Sequence, residues 1–256
     1  MPKSVTLIIQ ARMGSSRLPG KMLLPLFQEK SMLYWITTRL KSAKSVDHIV
    51  VATSKLDEDK AIVDACNTLH IPCVTGSDWD VLSRFYDAAL QFPSDIVVRV
   101  CGDSPLINGE IIDFAIEQFH NLNTDYFSNG NEPPLFAEDG FCAEVFHFKD
   151  LKEAVEKAEW MSEREHVTPY IKKNPHLQHH WAQFRNDYRY KLSIDTREDF
   201  DNVQWLFERM KDPNHSGMDE IMELMKHHPQ QHWGHVVWNA GYQKSLKEDI
   251  KIHRNG

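Results

Sequence analysis

The first half of the chain alternates short apolar runs, rich in β-branched residues, with longer stretches whose apolar residues recur at helical spacing. Runs of strand length cover residues 5–9, 49–53, 71–75 and 95–100. The intervening stretches predict helices at 31–40, 57–69, 79–91 and 110–120. Near-continuous apolar strands that alternate with helices predict an α/β fold with a mostly parallel sheet covered on both faces. In such sheets, ligands bind at the carboxyl ends of the strands.

This pattern ends near residue 122. Residues 121–140 are rich in Asn, Pro, Gly and Glu, and we expect a long loop there. Further strands are predicted at 143–148, 178–184 and 191–194, and helical stretches at 149–173, 198–211 and 217–228. We interpret residues 1–256 as one domain, with 121–185 as a distinct subregion and 212–256 as a C-terminal extension whose last part, rich in His and Trp, has no clear pattern.

Composition narrows the class of protein. The 256 residues are 41% hydrophobic and 26% charged, which is typical of a globular protein. No apolar run reaches the roughly 20 residues of a membrane helix, and residues 5–9 are too short for a signal-peptide core. We therefore expect a cytoplasmic protein without a membrane partner. The net charge of −8 argues against nucleic acid as a partner. The four cysteines have no metal-ligand spacing, and we expect buried thiols outside any disulfide.

The strongest chemical signal follows the first predicted strand directly, in the string QARMGSSRLPGK at residues 10–21. Its glycines and serines allow close backbone approach, and Arg12, Arg17 and Lys21 supply three cations within ten residues. A polyphosphate is bound by this combination of amide donors and fixed cations. The string is not a Walker P-loop, because five residues separate Gly14 from Gly20 and Met follows the Lys. A solvated basic turn is the alternative, and the position after a buried strand disfavours it.

Two aspartates are candidates for a metal site. Asp103 follows Gly102 at the end of the fourth predicted strand, where a hard cation can bridge a carboxylate to phosphate. A Gly-Asp pair also occurs in ordinary turns, so Asp103 alone leaves both readings open. Asp195 follows the predicted strand 191–194, and the capping pattern of the next helix explains Thr196 better than it explains Asp195. Magnesium bound with phosphates takes one or two protein carboxylates.

These segments together resemble the cytidylyltransferase family, most closely its spore-coat polysaccharide type, with the 3-deoxy-manno-octulosonate and acylneuraminate enzymes as further relatives. The resemblance rests on QARMGSSRLPGK, GDSPLI, EREHVTPYI and SIDTREDF, in that order, over about residues 4–210, and it continues into the tail at 239–246. It implies a three-layer Rossmann-like fold of the nucleotide-diphospho-sugar transferase type with a small dimerisation arm at 121–185. It also implies transfer of CMP from CTP to a small acidic or sugar-like acceptor, with Mg²⁺, by a homodimer.

The resemblance also implies roles for individual residues. The implied catalytic residues are Arg12, Lys21, Asp103 and Asp195, and the implied magnesium ligands are Asp103 and Asp195. The residues implied to bind the nucleotide are Gln10, Ala11, Arg12, Gly14, Ser15, Ser16, Arg17, Lys21, Thr53, Ser54, Asp80, Val81, Arg99 and Gly102. Those implied to lie near the acceptor are Glu144, Arg164, Glu165 and His166, where His166 could touch an acidic group of the acceptor or simply bond a neighbour.

The acceptor itself stays open. Cys142 stands where the family often has Asp, and Asn108-Gly109 stands where Asp-Pro is commoner.

Two other functions are also open. A metal-dependent glycosyltransferase is disfavoured because Asp103-Ser104-Pro105 lacks the second Asp of an Asp-x-Asp pair. A catalytically silent nucleotide-binding protein is disfavoured because it has no need of both aspartates.

Overall fold

The computed structural model describes residues 3–130, 139–182, 190–227, 233 and 240–254. The strands are β1 (Val5–Gln10), β2 (Pro25–Phe27), β3 (Lys30–Ser31), β4 (His48–Ser54), β5 (Cys73–Gly76), β6 (Ile96–Cys101), β7 (Tyr126–Ser128), β8 (Ala143–His147) and β9 (His179–Trp181). The helices are α1 (Met32–Leu40), α2 (Lys60–Leu69), α3 (Val81–Gln91), α4 (Gly109–Asn121), α5 (Phe148–Lys157), α6 (Met161–His166), α7 (Pro169–Lys173), α8 (Arg197–Phe207), α9 (Met218–Lys226) and α10 (Ala240–Arg254).

Seven strands form one sheet in the order β5-β4-β1-β6-β8-β7-β9. The first four of these strands pair in parallel, β8 pairs antiparallel with β6 and with β7, and β9 is parallel to β7. The β1–β6 register places Gln10 beside Cys101, so the loops that follow these two strands begin side by side. Strands β2 and β3 form a separate small hairpin.

Two apolar clusters cover the two faces of this sheet. One face packs against α1, α2, α4 and α8, and the side chains of Leu7, Ile9 and Val98 point towards these helices. The other face packs against α3, α5 and α7, with Ile8 and Val97 pointing towards them. This is the expected consequence of side chains that alternate across a central strand buried on both faces. The three layers confirm the predicted α/β fold class.

Helix starts follow the capping residues in the sequence. The Ser31 hydroxyl accepts from the Tyr34 amide at 3.1 Å, and the Asp80 carboxylate accepts from the Ser83 amide at 3.0 Å. Asn108 caps α4 in the same way, and Thr196 and Asp199 form a capping box at α8. Each cap satisfies an amide that has no partner inside the helix, which fixes where the chain enters it.

Most predicted elements of the first half are confirmed, with shifts of one to three residues at their ends. The strand predicted at 71–75 begins later, at Cys73. The predicted helix 57–69 opens with a 3-10 turn before α2. The first part of the predicted strand 178–184 is β9, and residues 183–184 lie outside the described residues. Of the cysteines, Cys66 is buried and the other three are half-buried.

The strand predicted at 191–194 is wrong. Leu192 and Ile194 are buried as the alternating pattern requires, but the segment pairs with no neighbouring strand among the described residues. Its amides instead meet other acceptors: Leu192 and Ser193 donate to the Asp139 carboxylate, and Ile194 donates to the Asp103 carbonyl. The alternation of apolar and polar residues therefore predicted correctly which side chains are buried. The backbone amides of this segment, however, donate to the Asp139 carboxylate and the Asp103 carbonyl and not to a neighbouring strand.

Three elements had no sequence prediction. Strand β7 lies inside the expected loop 121–140, the hairpin β2–β3 precedes α1, and α10 lies in the tail whose form was left open. The subregion 121–185 contributes β7, β8 and β9 to the main sheet and carries α5, α6 and α7. Among the described residues, no helix has both the length and the apolar content to cross a membrane.

Candidate active site

The loops after β1 and β6 meet at the carboxyl edge of the sheet. The Gly102 amide donates to the Gln10 carbonyl at 2.8 Å, and a Cβ atom at Gly102 would stand 2.6 Å from that oxygen. A side chain there would force the two loops apart, so glycine is required by this close approach. The contact brings Asp103 next to the loop of residues 11–20.

A buried carboxylate holds that loop in place. Asp59 is 1% exposed, and its Oδ1 accepts from the Met13 amide at 2.6 Å. Its Oδ2 accepts from the Ser54 amide at 3.2 Å and from the Ser54 hydroxyl, so the loop is tied to the end of β4. The Met13 carbonyl in turn accepts from the amides of Ser15 and Gly20 at 2.9 and 3.0 Å.

Several donors of this loop remain available to a ligand. The amides of Gly14, Ser16 and Arg17 make no hydrogen bond within the described part of the chain. The Arg12 guanidinium makes no ion pair with any described residue, although it lines the cleft beside this loop. Unpaired amides and an uncompensated cation at one loop are what an anionic ligand with several oxygens requires.

Lys21 lies between the two predicted metal ligands. Its Nζ is 3.4 Å from Asp103 Oδ2 and 3.4 Å from Asp195 Oδ1, and it also donates to the Ile194 carbonyl. The Lys21 side chain is only 10% exposed. Asp103 and Asp195 are 92 positions apart in the sequence, and the fold brings both carboxylates to one cation.

Asp195 is surrounded by positive charge. Arg17 contacts Asp195 Oδ1 at 2.8 Å, and Lys191 contacts Asp195 Oδ2 at 3.3 Å. Burial alone raises the pKa of Asp195, but Lys21, Lys191 and Arg17 outweigh it and hold the pKa below its ordinary value. Asp195 is therefore ionised at neutral pH, as a metal ligand must be.

The extended segment before Asp195 is fixed by a second, half-buried carboxylate. Asp139 Oδ2 accepts from the amides of Leu192 at 3.1 Å and Ser193 at 2.7 Å. Burial raises the pKa of Asp139, and the hydrogen bonds from Ser193 oppose that rise. The Ile194 amide donates to the Asp103 carbonyl at 2.8 Å, which links the two aspartate segments directly. We call loop 11–20, Asp103 and Asp195 together the phosphate end of the site.

A cleft of about 320 Å³ opens above these loops. Most of the predicted site residues line it: Gln10, Ala11, Arg12, Gly14, Ser15, Ser16, Arg17, Lys21, Val81, Arg99, Gly102, Asp103, Glu165, His166 and Asp195. Met22, Cys101 and Gly241 line it as well. A second cavity of about 290 Å³ shares Arg12, Gly14 and Glu165 with this cleft, and Ser54, Trp79 and Met161 are among its other walls.

Five predicted residues do not line the cleft. Ser54 belongs to the second cavity, Thr53 is fully buried, and Asp80 caps α3. Arg164 forms an ion pair with Asp80 at 2.7 Å and also donates to the carbonyls of Val155 and Ala158. The predicted ligand contacts of Thr53, Asp80 and Arg164 are not supported by this geometry, and Asp80 and Arg164 instead join α6 to α3.

Glu144 is the fifth, and it lies behind the cleft. It is 2% exposed and pairs with Arg99, while its Oε1 accepts from Tyr126 at 2.6 Å and Thr168 at 2.8 Å. Burial opposes ionisation, but Arg99 and the other donors lower the pKa of Glu144 to about 2. Glu144 is thus a buried counter-ion that fixes Arg99, whose other nitrogen donates to Gln10 Oε1 at 3.3 Å.

Asp103 and Asp195 fit a magnesium ion that also binds phosphate. No group of three or more His, Cys, Asp or Glu side chains with metal-binding geometry occurs among the described residues. A site with two carboxylates suits magnesium, which keeps water or substrate phosphates in its remaining positions. The Lys21 ammonium at 3.4 Å from both carboxylates marks a position that already favours a cation.

Residues of α6 and α10 form another part of the cleft wall, and the sequence prediction found only the part from α6. Glu165 and His166 were predicted, whereas Gly241 and Ser245 of α10 were not. Ser245 Oγ is 2.6 Å from Glu165 Oε2 and 3.3 Å from His166 Nε2. The family likeness at 239–246 was the available signal for this helix. We call Glu165, His166, Gly241 and Ser245 the helical end of the site.

Comparisons with known proteins agree with the motifs. Residues 6–244 match the family model described as cytidylyltransferase. An uncharacterized protein of Methanocaldococcus jannaschii is 42% identical over 197 residues, 75% of this chain and 79% of that protein. The spore coat polysaccharide biosynthesis protein SpsF of Bacillus subtilis is 29% identical over 234 residues, 88% of this chain and 95% of that protein. The structure of a cytidylyltransferase from Leptospira borgpetersenii, 28% identical, has a TM-score of 0.84 and covers 93% of this chain and 100% of that one.

Proposed function

The chain belongs to the cytidylyltransferase family, and we propose that it transfers CMP from CTP to a small acidic sugar or phosphorylated acceptor, with release of pyrophosphate. One observation carries the proposal. Two carboxylates from distant segments converge within 3.4 Å of one buried ammonium, directly beside a loop with unpaired amides and cations. Nucleotidyl transfer needs this pairing of a cation site with a polyphosphate site.

The phosphate end supplies the contacts for the triphosphate. The unpaired amides of Gly14, Ser16 and Arg17 would donate to its oxygens, and Arg12, which forms no ion pair with a described carboxylate, would add a positive charge. A charge-assisted hydrogen bond contributes about 1.5 to 3 kcal/mol. The nucleoside would extend into the second cavity, where Arg12 and Gly14 are shared with the cleft and Ser54 and Trp79 form part of the wall.

The ionised Asp195 and the neighbouring Asp103 would hold Mg²⁺, which when bound neutralises phosphate oxygens and favours attack at the α-phosphorus. Cationic side chains of the protein would stabilise the negative charge on the departing pyrophosphate. Arg17 is 60% exposed and contacts Asp195 from the open side, so it can turn to a pyrophosphate oxygen. Lys21 is buried and anchored by the Ile194 carbonyl, so it stays in place as charge develops.

The acceptor oxygen forms the new bond to phosphorus as the bond to pyrophosphate breaks. Glu165 and His166 line the same cleft as Asp195, and we propose that the acceptor lies between them and the phosphate end. The similarity to a spore coat polysaccharide protein supports a role in making precursors of surface glycans. The homodimer and the cytoplasmic location stay predictions.

The two alternatives are less well supported. A glycosyltransferase would need a donor sugar, and Asp103 is followed by Ser104 and Pro105 and not by a second aspartate. A silent nucleotide-binding protein would have no use for the ionised Asp195 beside Asp103. Pyrophosphate production separates both alternatives from the proposal.

The test is pyrophosphate release with each of the four nucleoside triphosphates and Mg²⁺, against a panel of acidic sugars and phosphorylated metabolites. We expect release with CTP and with one class of acceptor, and a rise in thermal stability with CTP alone. Absence of release across the panel, together with absence of any CTP-induced stabilisation, would refute the proposal.

A further inference from the structure

Helix α10 is attached to α6 by buried polar contacts. The Asp249 carboxylate, 4% exposed, accepts from the Ser162 amide at 2.9 Å in the first turn of α6. The Tyr242 ring meets the His166 ring edge-on, with centroids 5.6 Å apart. These contacts place α10 against the residues of α6 that face the cleft, and Gly241 itself lines the cleft.

Ser245 contacts both Glu165 and His166 at the helical end of the site. Its Oγ is 2.6 Å from Glu165 Oε2, a short distance for a hydroxyl and a carboxylate, and 3.3 Å from His166 Nε2. The Gly241 carbonyl, also 3.3 Å away, is the weaker alternative acceptor. Bonds from a hydroxyl to a carboxylate are the stronger ones, so the Ser245 proton lies on the bond to Glu165.

The single hydroxyl proton of Ser245 determines which nitrogen of His166 is protonated. A hydroxyl has one proton to donate, and a carboxylate oxygen accepts it. Ser245 must therefore accept from His166, so Nε2 of His166 carries its proton. In a neutral imidazole the other nitrogen is then an acceptor. Nδ1 is thus left with a lone pair for a ligand.

The surroundings keep this imidazole neutral. The pKa of His166 is lowered to about 4: burial is the largest cause, Glu165 and Glu144 oppose the shift, and Arg99 and Lys172 favour it. Tyr242, packed on the ring, is the remaining titratable group from α10 that faces it. At pH 7 the ring carries no charge to offer an anion.

Gly241 leaves one edge of the ring uncovered. A Cβ atom at Gly241 would stand 3.4 Å from His166 Cε1, which is the carbon between the two ring nitrogens. Because Cε1 is bonded to both Nδ1 and Nε2, a larger residue would crowd this edge of the ring. His166 and Gly241 both line the cleft, and no hydrogen bond to Nδ1 occurs among the described residues.

We propose that Ser245 is a positioning residue that holds His166 as the Nε2-protonated tautomer, so that Nδ1 accepts a hydrogen bond from a hydroxyl group of the acceptor. This inference rests on the proposed function and narrows it, because the acceptor must present a hydroxyl to His166. It also replaces the expectation that His166 meets an acidic group, since a lone pair on a neutral ring repels a carboxylate or phosphate oxygen.

The first test needs no acceptor. Two-dimensional ¹⁵N–¹H correlation spectra of the histidine rings report which nitrogen is protonated, and comparison with His166→Gln assigns the signals of His166. We expect the neutral Nε2–H pattern at pH 7, kept down to about pH 5, and a mixture of tautomers in Ser245→Ala. An Nδ1–H pattern in the wild-type protein, or protonation of the ring near pH 6.5, would overturn the proposal.

The second test uses the acceptor that the pyrophosphate assay identifies. Loss of one positioned hydrogen bond in Ser245→Ala should raise the KM for the acceptor about 3- to 10-fold, while the KM for CTP stays within about twofold. The exposed neighbour Lys244→Ala is the matched control and should leave both constants unchanged. Equal changes in both KM values would indicate a purely structural role for Ser245.

Two substitutions at His166 separate its two nitrogens. The amide of Asn occupies the place of Nδ1, and the amide of Gln occupies the place of Nε2. We therefore expect His166→Asn to retain more affinity for the acceptor than His166→Gln. The reverse order would contradict the assignment of Nδ1 to the ligand. The ring spectra remain decisive when the assay finds no turnover, so the failure of this inference and that of the proposed function can be told apart.

Discussion

The two ends of the site are built by different physical means. At the phosphate end, two loops leave adjacent strands, the buried Asp59 holds an amide of the first loop, and the half-buried Asp139 holds amides of the segment before Asp195. At the helical end, side chains of α6 and α10 bond one another, as Ser245 does with Glu165. The first end is set by strand order and backbone contacts, whereas the second depends on how two helices pack.

Because the two ends are built differently, we expect them to have different roles in the reaction. Ligand-binding groups at the carboxyl edge of a sheet serve any reaction of the same nucleotide, because the backbone scaffold stays constant. Contacts between side chains of two helices can change with single substitutions. We therefore expect the phosphate end to govern CTP binding and chemistry, and the helical end to govern the choice of acceptor.

The largest effect is expected at the phosphate end. Asp103→Asn removes one of the two carboxylates around the cation position and should lower turnover on the order of a thousandfold, while CTP still binds weakly. Pyrophosphate release and CTP titration by calorimetry measure the two effects. The exposed Asp64→Asn in α2 is the control. Near wild-type turnover in Asp103→Asn would remove Asp103 from the reaction.

A substitution at the helical end should leave CTP binding intact. Gly241→Leu places a side chain beside His166 Cε1 and should lower turnover on the order of a hundredfold, because the acceptor is displaced from its reactive position. The dissociation constant for CTP should stay within about threefold of the wild-type value. Gln243→Leu, at an exposed position of α10, is the matched control. A parallel loss of CTP binding would show that the two ends are not separable.

Arg12 tests whether cations at the loop bind the triphosphate. Removing one charge-assisted contact in Arg12→Ala should weaken CTP binding about 10- to 100-fold. Arg12→Lys, which keeps the charge but not the planar guanidinium, should recover part of that loss. The measurement is a calorimetric CTP titration in the presence of Mg²⁺. Unchanged affinity in Arg12→Ala would place the phosphates elsewhere.

The smallest effect concerns the pH dependence of stability. The pKa of His166 is lowered to about 4 in the folded protein, so the unfolded chain takes up a proton first as the pH falls. His166 therefore costs stability progressively between about pH 6.5 and pH 4. His166→Gln should lose Tm less steeply than the wild-type protein over that range. Identical slopes would mean that His166 is not held neutral by the fold.

The sequence was most informative where function depends on a continuous string. Residues 10–21 follow β1 directly, and strand order brings Asp103 beside them, so motif and topology together predicted the phosphate end. Asp59 and Asp139 were missed because a carboxylate that accepts from amides of another loop has no characteristic spacing. Lys191, which contacts Asp195 four positions on, was missed because residues 191–194 were interpreted as a strand.

Other errors have the same origin in long-range contacts. The family resemblance implied that Glu144 lies near the acceptor, but Arg99 on the neighbouring strand makes it a buried partner. Arg164 pairs with Asp80 across 84 positions. The Ser245–Glu165 bond spans 80 positions between two helices, and no periodicity within either helix indicates which faces meet.

Transfer of the α-phosphorus of CTP to the acceptor can be tested directly with isotopically labelled CTP. Two reactions with Mg²⁺ and the same acceptor panel would contain CTP labelled with ³²P in the α- or the γ-position. We predict that the α-label appears in a new acceptor product and the γ-label in pyrophosphate. A γ-label in the acceptor product would mean phosphoryl transfer by a kinase-like reaction and would contradict the account.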